Sequence, residues 1–280
     1  MNRLFTLFAI FLTSLFVVSC NKWDPNENVN TNGLIESIEN ADGETIASFE
    51  YNNNGTLKSF WERKQTFFTG SRAEYNFKYN QNNQTTDIEG FEPGNMIMCS
   101  IAGASDHEVH HKYEYDQQGR LSKKTIENHY PEMPEIDYSI TSEFEYPSNA
   151  MFIETISNTS ISDKSYLRYE YIFNKNENIE KIISYSIAEN GEERKMQETT
   201  MLYDDKNAPA QHFPGLSSKN NIIEKTEIFF EISNTNIENE YYRNTYYIDY
   251  EYNTNGYPEK VTTTQPNNYV TTVFYNYYKP

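Results

Sequence analysis

One short motif recurs along the chain and limits the folds available to it. The motif is an aromatic residue, any residue and then Tyr, followed by a turn. Its clear copies are Phe49-Glu50-Tyr51, Phe77-Lys78-Tyr79, Tyr113-Glu114-Tyr115, Phe144-Glu145-Tyr146, Tyr169-Glu170-Tyr171 and Tyr250-Glu251-Tyr252, and looser ones are Leu202-Tyr203-Asp204 and Tyr275-Asn276-Tyr277. Four residues past the Tyr stands Gly55, Gly119 or Gly256, or else Asn83 or Asn207. Gly and then Asn adopt a positive φ at the least cost, so each copy predicts a strand, a tight turn and a second strand.

Unequal spacing between the copies argues against a strict solenoid and favours a meander of hairpins. The sequence therefore predicts an all-β domain over residues 33–280, built as an extended, curved antiparallel sheet or an incomplete barrel, because large twisted sheets curl. Two inserts interrupt the pattern. Residues 91–103 should leave the sheet, and 208–221 should form a loop or short helix before a strand from Ile222 to Phe230.

The clearest unit, Tyr113-Glu114-Tyr115-Asp116-Gln117-Gln118-Gly119-Arg120-Leu121, resembles the YD repeat of Rhs-type and wall-associated bacterial proteins. The overall layout is also similar to exported lipoproteins of Gram-negative gut anaerobes that carry diverged YD-like repeats. This resemblance implies an extended antiparallel sheet and brings no settled activity with it. Long arrays of this type close into shells, and eight copies are too few for such a shell.

Residues two apart in a strand share a face, so the paired aromatics lie on one face and the residue between them on the other. That middle residue is Glu50, Lys78, Glu114, Glu145, Glu170 or Glu251. One interpretation makes the aromatics core and the glutamates solvated. The other exposes part of the aromatic ladder in a concave groove that binds sugar rings or peptides. The candidate groove residues are Phe60, Trp61, Tyr242, Tyr246 and Tyr247.

The N-terminus predicts export and lipidation. Residues 1–19 have a positive start and an apolar run from Leu4 to Val18, which is typical of a signal peptide. The stretch Val17-Val18-Ser19-Cys20 resembles the lipobox of bacterial lipoproteins, although Val17 stands where Leu is usual. The resemblance implies that Cys20 is acylated, that 20–32 is a flexible tether, and that the bilayer is a partner through the acyl chains. Asn21 favours the outer membrane, and the periplasmic face and the cell surface both stay open.

The net charge of −18 argues against nucleic acid as a partner, because phosphate backbones would be repelled. Only Cys20 and Cys99 are present, so a lipidated Cys20 leaves Cys99 without an intrachain disulfide partner. Abundant Tyr (24), Phe (17) and Asn (34) fit strands and turns.

Few residues suggest chemistry. His107, His110 and His111 are candidate ligands for Zn or Ni, but the following strand pattern would put His107 and His111 on one face and His110 on the other. The acidic turn from Asp204 to Asn207 lacks the spacing of a calcium loop. No catalytic motif and no cofactor is predicted. The leading hypothesis is a non-enzymatic binding or scaffold lipoprotein of the envelope whose partner is a glycan or an envelope protein. The alternatives are an envelope assembly component that adds strands at free sheet edges, and a hydrolase.

Overall fold

A computed structural model describes residues 33–65, 70–93, 106–158, 166–209, 218–231 and 239–278. They form sixteen antiparallel strands and one short 3₁₀ helix, Pro134–Ile136. The strands are β1 Ile35–Asn40, β2 Thr45–Tyr51, β3 Leu57–Gln65, β4 Gly70–Tyr79, β5 Thr85–Glu92, β6 His107–Tyr115, β7 Leu121–His129, β8 Tyr138–Ser148, β9 Met151–Asn158, β10 Tyr166–Phe173, β11 Ile179–Ile187, β12 Glu193–Asn207, β13 Asn220–Phe230, β14 Glu240–Tyr252, β15 Pro258–Thr264 and β16 Val270–Tyr277.

The sheet closes on itself. Each strand pairs with its neighbours in sequence, and β1 pairs with β16 through Ile38 opposite Tyr275 and Asn40 opposite Val273. The predicted all-β meander of hairpins is thus confirmed. The sheet is a complete barrel instead of an open or incomplete one, because the last strand returns to hydrogen-bond the first.

The predicted turns form as five-residue loops with the fourth residue at positive φ. In Asp116–Arg120, the carboxylate of Asp116 accepts hydrogen bonds from the backbone N–H groups of Gln118 and Arg120. The fourth residue, Gly119, has a φ of 78°, and Asn83 takes its place in an equivalent turn with a φ of 56°. An Asn or Asp side chain that accepts from its own loop explains why these residues follow the motif tyrosine. Asn207 differs, because it lies within β12.

The two faces of the barrel are chemically opposite. The first aromatic of several motif copies is buried, as at Phe49, Phe77 and Tyr113. The described strands close into a barrel and enclose only the inner face, so side chains this well buried point into the barrel. The residues between the aromatics point outward, and most of them form surface ion pairs, such as Lys78 with Glu89. The structure therefore agrees with the interpretation that makes the aromatics core.

Two apolar clusters lie on the inner face. One spans β1 to β7 and includes Leu57 and Ile88, which have no exposed surface. The other spans β9 to β12 and is built around Phe152, whose ring stacks on Tyr171 with centroids 4.3 Å apart.

The sequence placed one copy of the motif at Tyr169-Glu170-Tyr171, which is two residues before its position in the structure. The turn that follows begins at Asn174, so the strand ends at Phe173 and the true copy is Tyr171-Ile172-Phe173. Ile179 then falls six residues past Phe173, as Leu57 does past Tyr51. Of the predicted inserts, Phe91 and Glu92 belong to β5, and Asn220 and Asn221 belong to β13. Residues 94–105 and 210–217 lie outside the described chain.

A tyrosine hydroxyl joins neighbouring hairpins at one end of the barrel, which we call the tyrosine end. It is the end where β1 begins and every even-numbered strand finishes. There, one tyrosine of a motif copy donates a hydrogen bond to the backbone carbonyl at or near the start of the preceding strand; in six copies it is the motif tyrosine, and in β14 it is Tyr250, since Tyr252 donates to Asp204. The donors and acceptors are Tyr51 and Ile35, Tyr79 and Leu57, Tyr115 and Thr85, Tyr146 and Leu121, Tyr203 and Ile179, Tyr250 and Ile222, and Tyr277 and Pro258. In each of these strand pairs, the loop that connects the two strands lies at the opposite end of the barrel. At the tyrosine end no loop connects them, and the hydrogen bond from the tyrosine hydroxyl, here called a tyrosine clip, holds them together.

The eighth such strand pair, β9 with β10, has Phe173 at the clip position and no hydroxyl. We expect Tyr79→Phe to lower the free energy of unfolding by about 1 kcal/mol, because the Leu57 carbonyl loses a donor in a half-buried site. Phe173→Tyr should be neutral or stabilising. Urea denaturation followed by circular dichroism measures both. Tyr247→Phe, on the exposed outer face, is the control, and an equal loss there would contradict the clip.

Candidate binding surfaces

An apolar row crosses the outer face of the barrel from β12 to β16. Strand register places Leu202 opposite Glu224, Glu224 opposite Tyr247, Tyr247 opposite Thr264, and Thr264 opposite Val270. Leu202, Tyr247 and Val270 are 55%, 54% and 53% exposed, and we call these three the outer apolar row. Large apolar side chains in line and open to solvent are typical of a surface that contacts a partner.

A shallow groove runs beside this row. Ile223, Glu224, Tyr247 and Asp249 help to line it. An exposed tyrosine ring flanked by carboxylates offers a stacking surface and hydrogen-bond acceptors, and it lacks the positive charge that an anionic ligand would need. The chemistry of this surface therefore suits a neutral or cationic partner.

The five residues predicted to line one groove are divided between the two faces. Phe60 is buried on the inner face, while its neighbour Trp61 points outward beneath the guanidinium of Arg72, 4.3 Å from the ring centre. Tyr242 and Tyr246 share the inner face, and Tyr247 is on the outer one. Strand alternation separates them, so the structure does not bring these residues together.

Exposure also differs among the three β14 tyrosines. Tyr242 is 53% exposed near the end of the strand, with its ring 6.2 Å from that of Phe229. Tyr246 is buried, and the ammonium of Lys225 lies 4.3 Å from its ring centre. Tyr247 is the member of the predicted set that belongs to the outer apolar row.

The three histidine candidates are also split by strand alternation, as the sequence pattern indicated. His107 and His111 face inward, and His110 faces outward. The His107 ring stacks on Tyr130 with centroids 4.7 Å apart, and Nε2 of His110 lies 3.1 Å from Oδ1 of Asp87. Among the described residues, no group of three His, Cys, Asp or Glu side chains is arranged to hold a metal ion.

The segment Asp204 to Asn207, predicted as an acidic turn, belongs to β12, and the carboxylate of Asp204 has a structural role there. Its Oδ1 accepts hydrogen bonds from the backbone N–H groups of Lys206 and Asn221, and the hydroxyl of Tyr252 donates to Oδ2. These protein donors occupy the carboxylate that a calcium ion would require.

Polar groups inside the barrel form compact clusters among the aromatics. Nζ of Lys124 lies 3.2 Å from Oε1 of Glu154, and the Tyr171 hydroxyl donates to Oε2 of the same carboxylate at 2.8 Å. A second cluster joins Lys225 to Glu227 at 2.9 Å. The sequence offered no indication of these pairs, because Lys124 and Glu154 lie outside the repeated motif.

Burial keeps the interior tyrosines protonated. It raises the pKa of Tyr171 well above its usual value, with a further contribution from the charge of Glu154, and it raises the pKa of Tyr275 to about 12. Burial, aided by Glu227, also raises the pKa of Tyr246 to about 12.

These pKa shifts predict a cooperative alkaline unfolding. A phenol whose pKa is higher in the folded state stabilises the fold fully below pH 10, and that contribution is lost as the pH rises through the folded-state pKa. We therefore expect the β circular dichroism spectrum to persist at pH 10 and to collapse near or above pH 12, together with a step in phenolate absorbance at 295 nm. Gradual ionisation of all tyrosines near pH 10 with the fold intact would contradict the burial.

Comparison with known proteins gives a fold and no family. No protein-family model matches the chain, and no curated protein matches it. A solved porin-like protein from Bacteroides vulgatus matches with a TM-score of 0.55 and 9% identity, over 88% of this chain and 100% of that chain. The fold is similar to that of a porin-like protein. A second porin-like protein, from Bacteroides uniformis, has 14% identity over 69% of this chain and 96% of its own, with a TM-score of only 0.25.

Two further findings concern membranes. Within the part of the chain that the structure describes, no helix is long and apolar enough to cross a bilayer. The predicted signal peptide, the lipidation site Cys20 and the tether 20–32 lie outside the described residues, as does Cys99.

Proposed function

We propose that this protein is a lipid-anchored, non-enzymatic barrel that works as a binding or scaffold module at the surface of the outer membrane without entering the bilayer. The observation that carries this proposal is the arrangement of the two faces. A membrane-spanning barrel has an apolar outer band about 25 Å tall and a polar interior. In this barrel aromatic side chains predominate on the inner face, beside the Lys124–Glu154 and Lys225–Glu227 pairs, and ion pairs cover much of the outer face.

The outer charges occur on many strands. Ion pairs on the outer face include Glu50 with Lys58, Lys78 with Glu89, Lys112 with Glu127, Lys181 with Glu198, and Glu251 with Lys260. A basic residue that faces lipid at the middle of a bilayer costs about 2–4 kcal/mol. Lys112 lies toward the middle of β6, where an inserted barrel would expose it to lipid, so its pair with Glu127 opposes insertion. In this proposal, attachment to a membrane comes from another part of the chain.

The N-terminal sequence supplies that part. The lipobox-like stretch ending at Cys20 supports acylation, and two or more acyl chains hold a protein stably on a bilayer. The outer apolar row supports a binding role, because it offers an exposed tyrosine and flanking carboxylates to a partner such as a neutral glycan.

The closed sheet weakens the assembly alternative. Strand addition needs a free edge, and β1 and β16 pair with each other, so the described strands leave no edge open. The hydrolase alternative needs convergent polar groups in a deep pocket, and the groove beside the outer apolar row is shallow.

Metabolic labelling with a palmitate analogue tests the anchor. We expect label in the wild-type protein and in Cys99→Ser, and none in Cys20→Ala. Label in Cys20→Ala would overturn the anchor.

Release from the membrane tests the absence of insertion. A specific protease site placed within residues 24–30 allows the tether to be cut after the protein has been isolated on membrane vesicles. We expect the cut barrel to leave the vesicles in buffer without detergent and to keep its β spectrum. A barrel that stays with the vesicles through a carbonate wash would show that it is inserted.

A glycan array tests the binding role. We expect at least a tenfold weaker signal for Tyr247→Ala than for the wild type. Tyr241→Ala, which is 67% exposed on the same strand but outside the outer apolar row, should bind normally. Equal binding by both variants would contradict a role for the row.

A further inference from the structure

The two ends of the barrel differ in how the chain reaches them. In an antiparallel barrel with neighbouring strands in sequence order, connections after even strands lie at one end and connections after odd strands lie at the other. β1 begins at the tyrosine end and β16 finishes there, so the chain enters and leaves the barrel at that end. Any segment that precedes Gly33 therefore approaches the barrel from the tyrosine end.

The two ends also differ in charge. In the described connections at the tyrosine end, acidic and basic side chains nearly balance; they are Asp116, Arg120, Lys175, Glu177 and Lys219. Asp116 pairs with Arg120, and Glu177 pairs with Lys219 at 2.6 Å. Three connections at this end, 52–56, 80–84 and 253–257, have no charged residue. Two others, 116–120 and 174–178, each carry one acidic and one basic residue.

The opposite end is acidic. Its described connections contain no Lys or Arg, and their charged residues are Asp42, Glu44, Asp106, Glu132, Glu135, Asp137, Glu189, Glu192 and Glu231. Glu44 and Glu192 form ion pairs with Arg63 and Arg194 of neighbouring strands, which neutralises part of this charge. Asp137 also pairs with His129, and Asp106 and Glu189 have partners as well. The described connections of this end still hold nine acidic and no basic side chains, whereas those of the tyrosine end hold two acidic and three basic ones.

We propose that the barrel stands on an anionic lipid surface with its tyrosine end toward the lipid and its acidic end away from it. This orientation rests on the lipid anchor of the proposed function. Both observations lead to it independently, because the tether joins the tyrosine end and the acidic end is repelled by anionic headgroups.

Magnitudes favour one orientation over the reverse. A strand of nine residues is roughly 30 Å long, less when it is tilted. The Debye length is about 8 Å at physiological ionic strength, so charges at the far end of the barrel do not sense the lipid. Turning the barrel over would bring the acidic end within that distance. It would also require residues 21–32 to run the length of the barrel, whereas a flexible chain of twelve residues has a root-mean-square reach of roughly 20 Å.

The orientation determines what a partner meets first. The acidic connections face the surroundings, while the outer apolar row runs along the side of the barrel from β12 to the start of β16. A partner carried in solution can reach both without competing with the membrane.

Fluorescence quenching by lipid tests the proposal on the full-length acylated protein. Two variants are made in a Cys99→Ser background, and each carries one dye on its new cysteine. Gln117→Cys places the dye at the tyrosine end, and Ala41→Cys places it at the acidic end. Both positions are the exposed second residue of a five-residue turn. The protein is reconstituted in vesicles of neutral and anionic phospholipid that contain a headgroup-quencher lipid.

We expect at least threefold stronger quenching at position 117 than at position 41. Equal quenching, or stronger quenching at position 41, would overturn the orientation. Flotation of the same vesicles separates this outcome from a failure of the anchor, because an unanchored protein would stay at the bottom of the gradient whichever dye it carries.

Discussion

Gly90→Ala is expected to lower the free energy of unfolding by about 3 kcal/mol, at the upper end of the usual cost of overpacking. Gly90 lies in β5 directly opposite Tyr75. A Cβ built on Gly90 would stand 2.5 Å from Cδ1 of Tyr75 and 2.7 Å from the backbone carbonyl oxygen of Glu74. The ring could move, but the carbonyl belongs to the paired strand, so the sheet itself would have to shift. Urea denaturation measures the loss.

Gly43→Ala is the matched control for this prediction. Gly43 has a φ of 77°, and a Cβ added there would meet nothing within 4 Å, so its cost of about 1 kcal/mol comes from backbone conformation alone. In a Tyr75→Ala background, adding Gly90→Ala should cost less than it does in the wild type but should still destabilise, because the contact with the Glu74 carbonyl remains. A Gly90→Ala variant as stable as Gly43→Ala would show that β5 tolerates the added atom.

Lys124→Ala is expected to cost about 3 kcal/mol, because it leaves the carboxylate of Glu154 inside the barrel without its cation. The Glu154 side chain is only 7% exposed, and Tyr171 supplies the remaining donor. Replacing both partners together, as Lys124→Met with Glu154→Met, should cost less than Lys124→Ala alone, since no buried charge then remains.

The outer face provides the control for this pair. Lys58 and Glu50 are 62% and 66% exposed, so Lys58→Ala should change stability by no more than about 0.5 kcal/mol. Thermal and urea denaturation of the four proteins gives the comparison. Similar losses for Lys124→Ala and Lys58→Ala would mean that the interior pair is as well hydrated as the surface one.

Local structure was predictable from the sequence because the repeat encodes it. The motif gives the alternation of faces, and the residue after the motif tyrosine gives the turn, as Asp116 and Gly119 show. Closure was not predictable, because it depends on a pairing between Ile38 and Tyr275 that no local pattern specifies. Phe173 also escaped the alignment, since a Phe occupies the place of the usual tyrosine.

The candidate surface was harder to predict for a related reason. The outer apolar row comprises residues on β12, β14 and β16, and its register includes a shift between Leu202 and Tyr203. A one-residue change in register moves a side chain to the other face, so the row could not be assembled from the sequence alone. Tyr247 was named as a candidate, but Leu202 and Val270 were not.

The tyrosine clips have a consequence for how such a barrel can change in size. Each clip acts between one hairpin and the hairpin before it, and uses only a hydroxyl and a backbone carbonyl. A duplicated strand–turn–strand unit would therefore bring its own joint, and a deleted unit would take its joint away. Barrel circumference can then vary by whole hairpins while the rest of the wall keeps its contacts, which makes tandem duplication a simple route to barrels of different width.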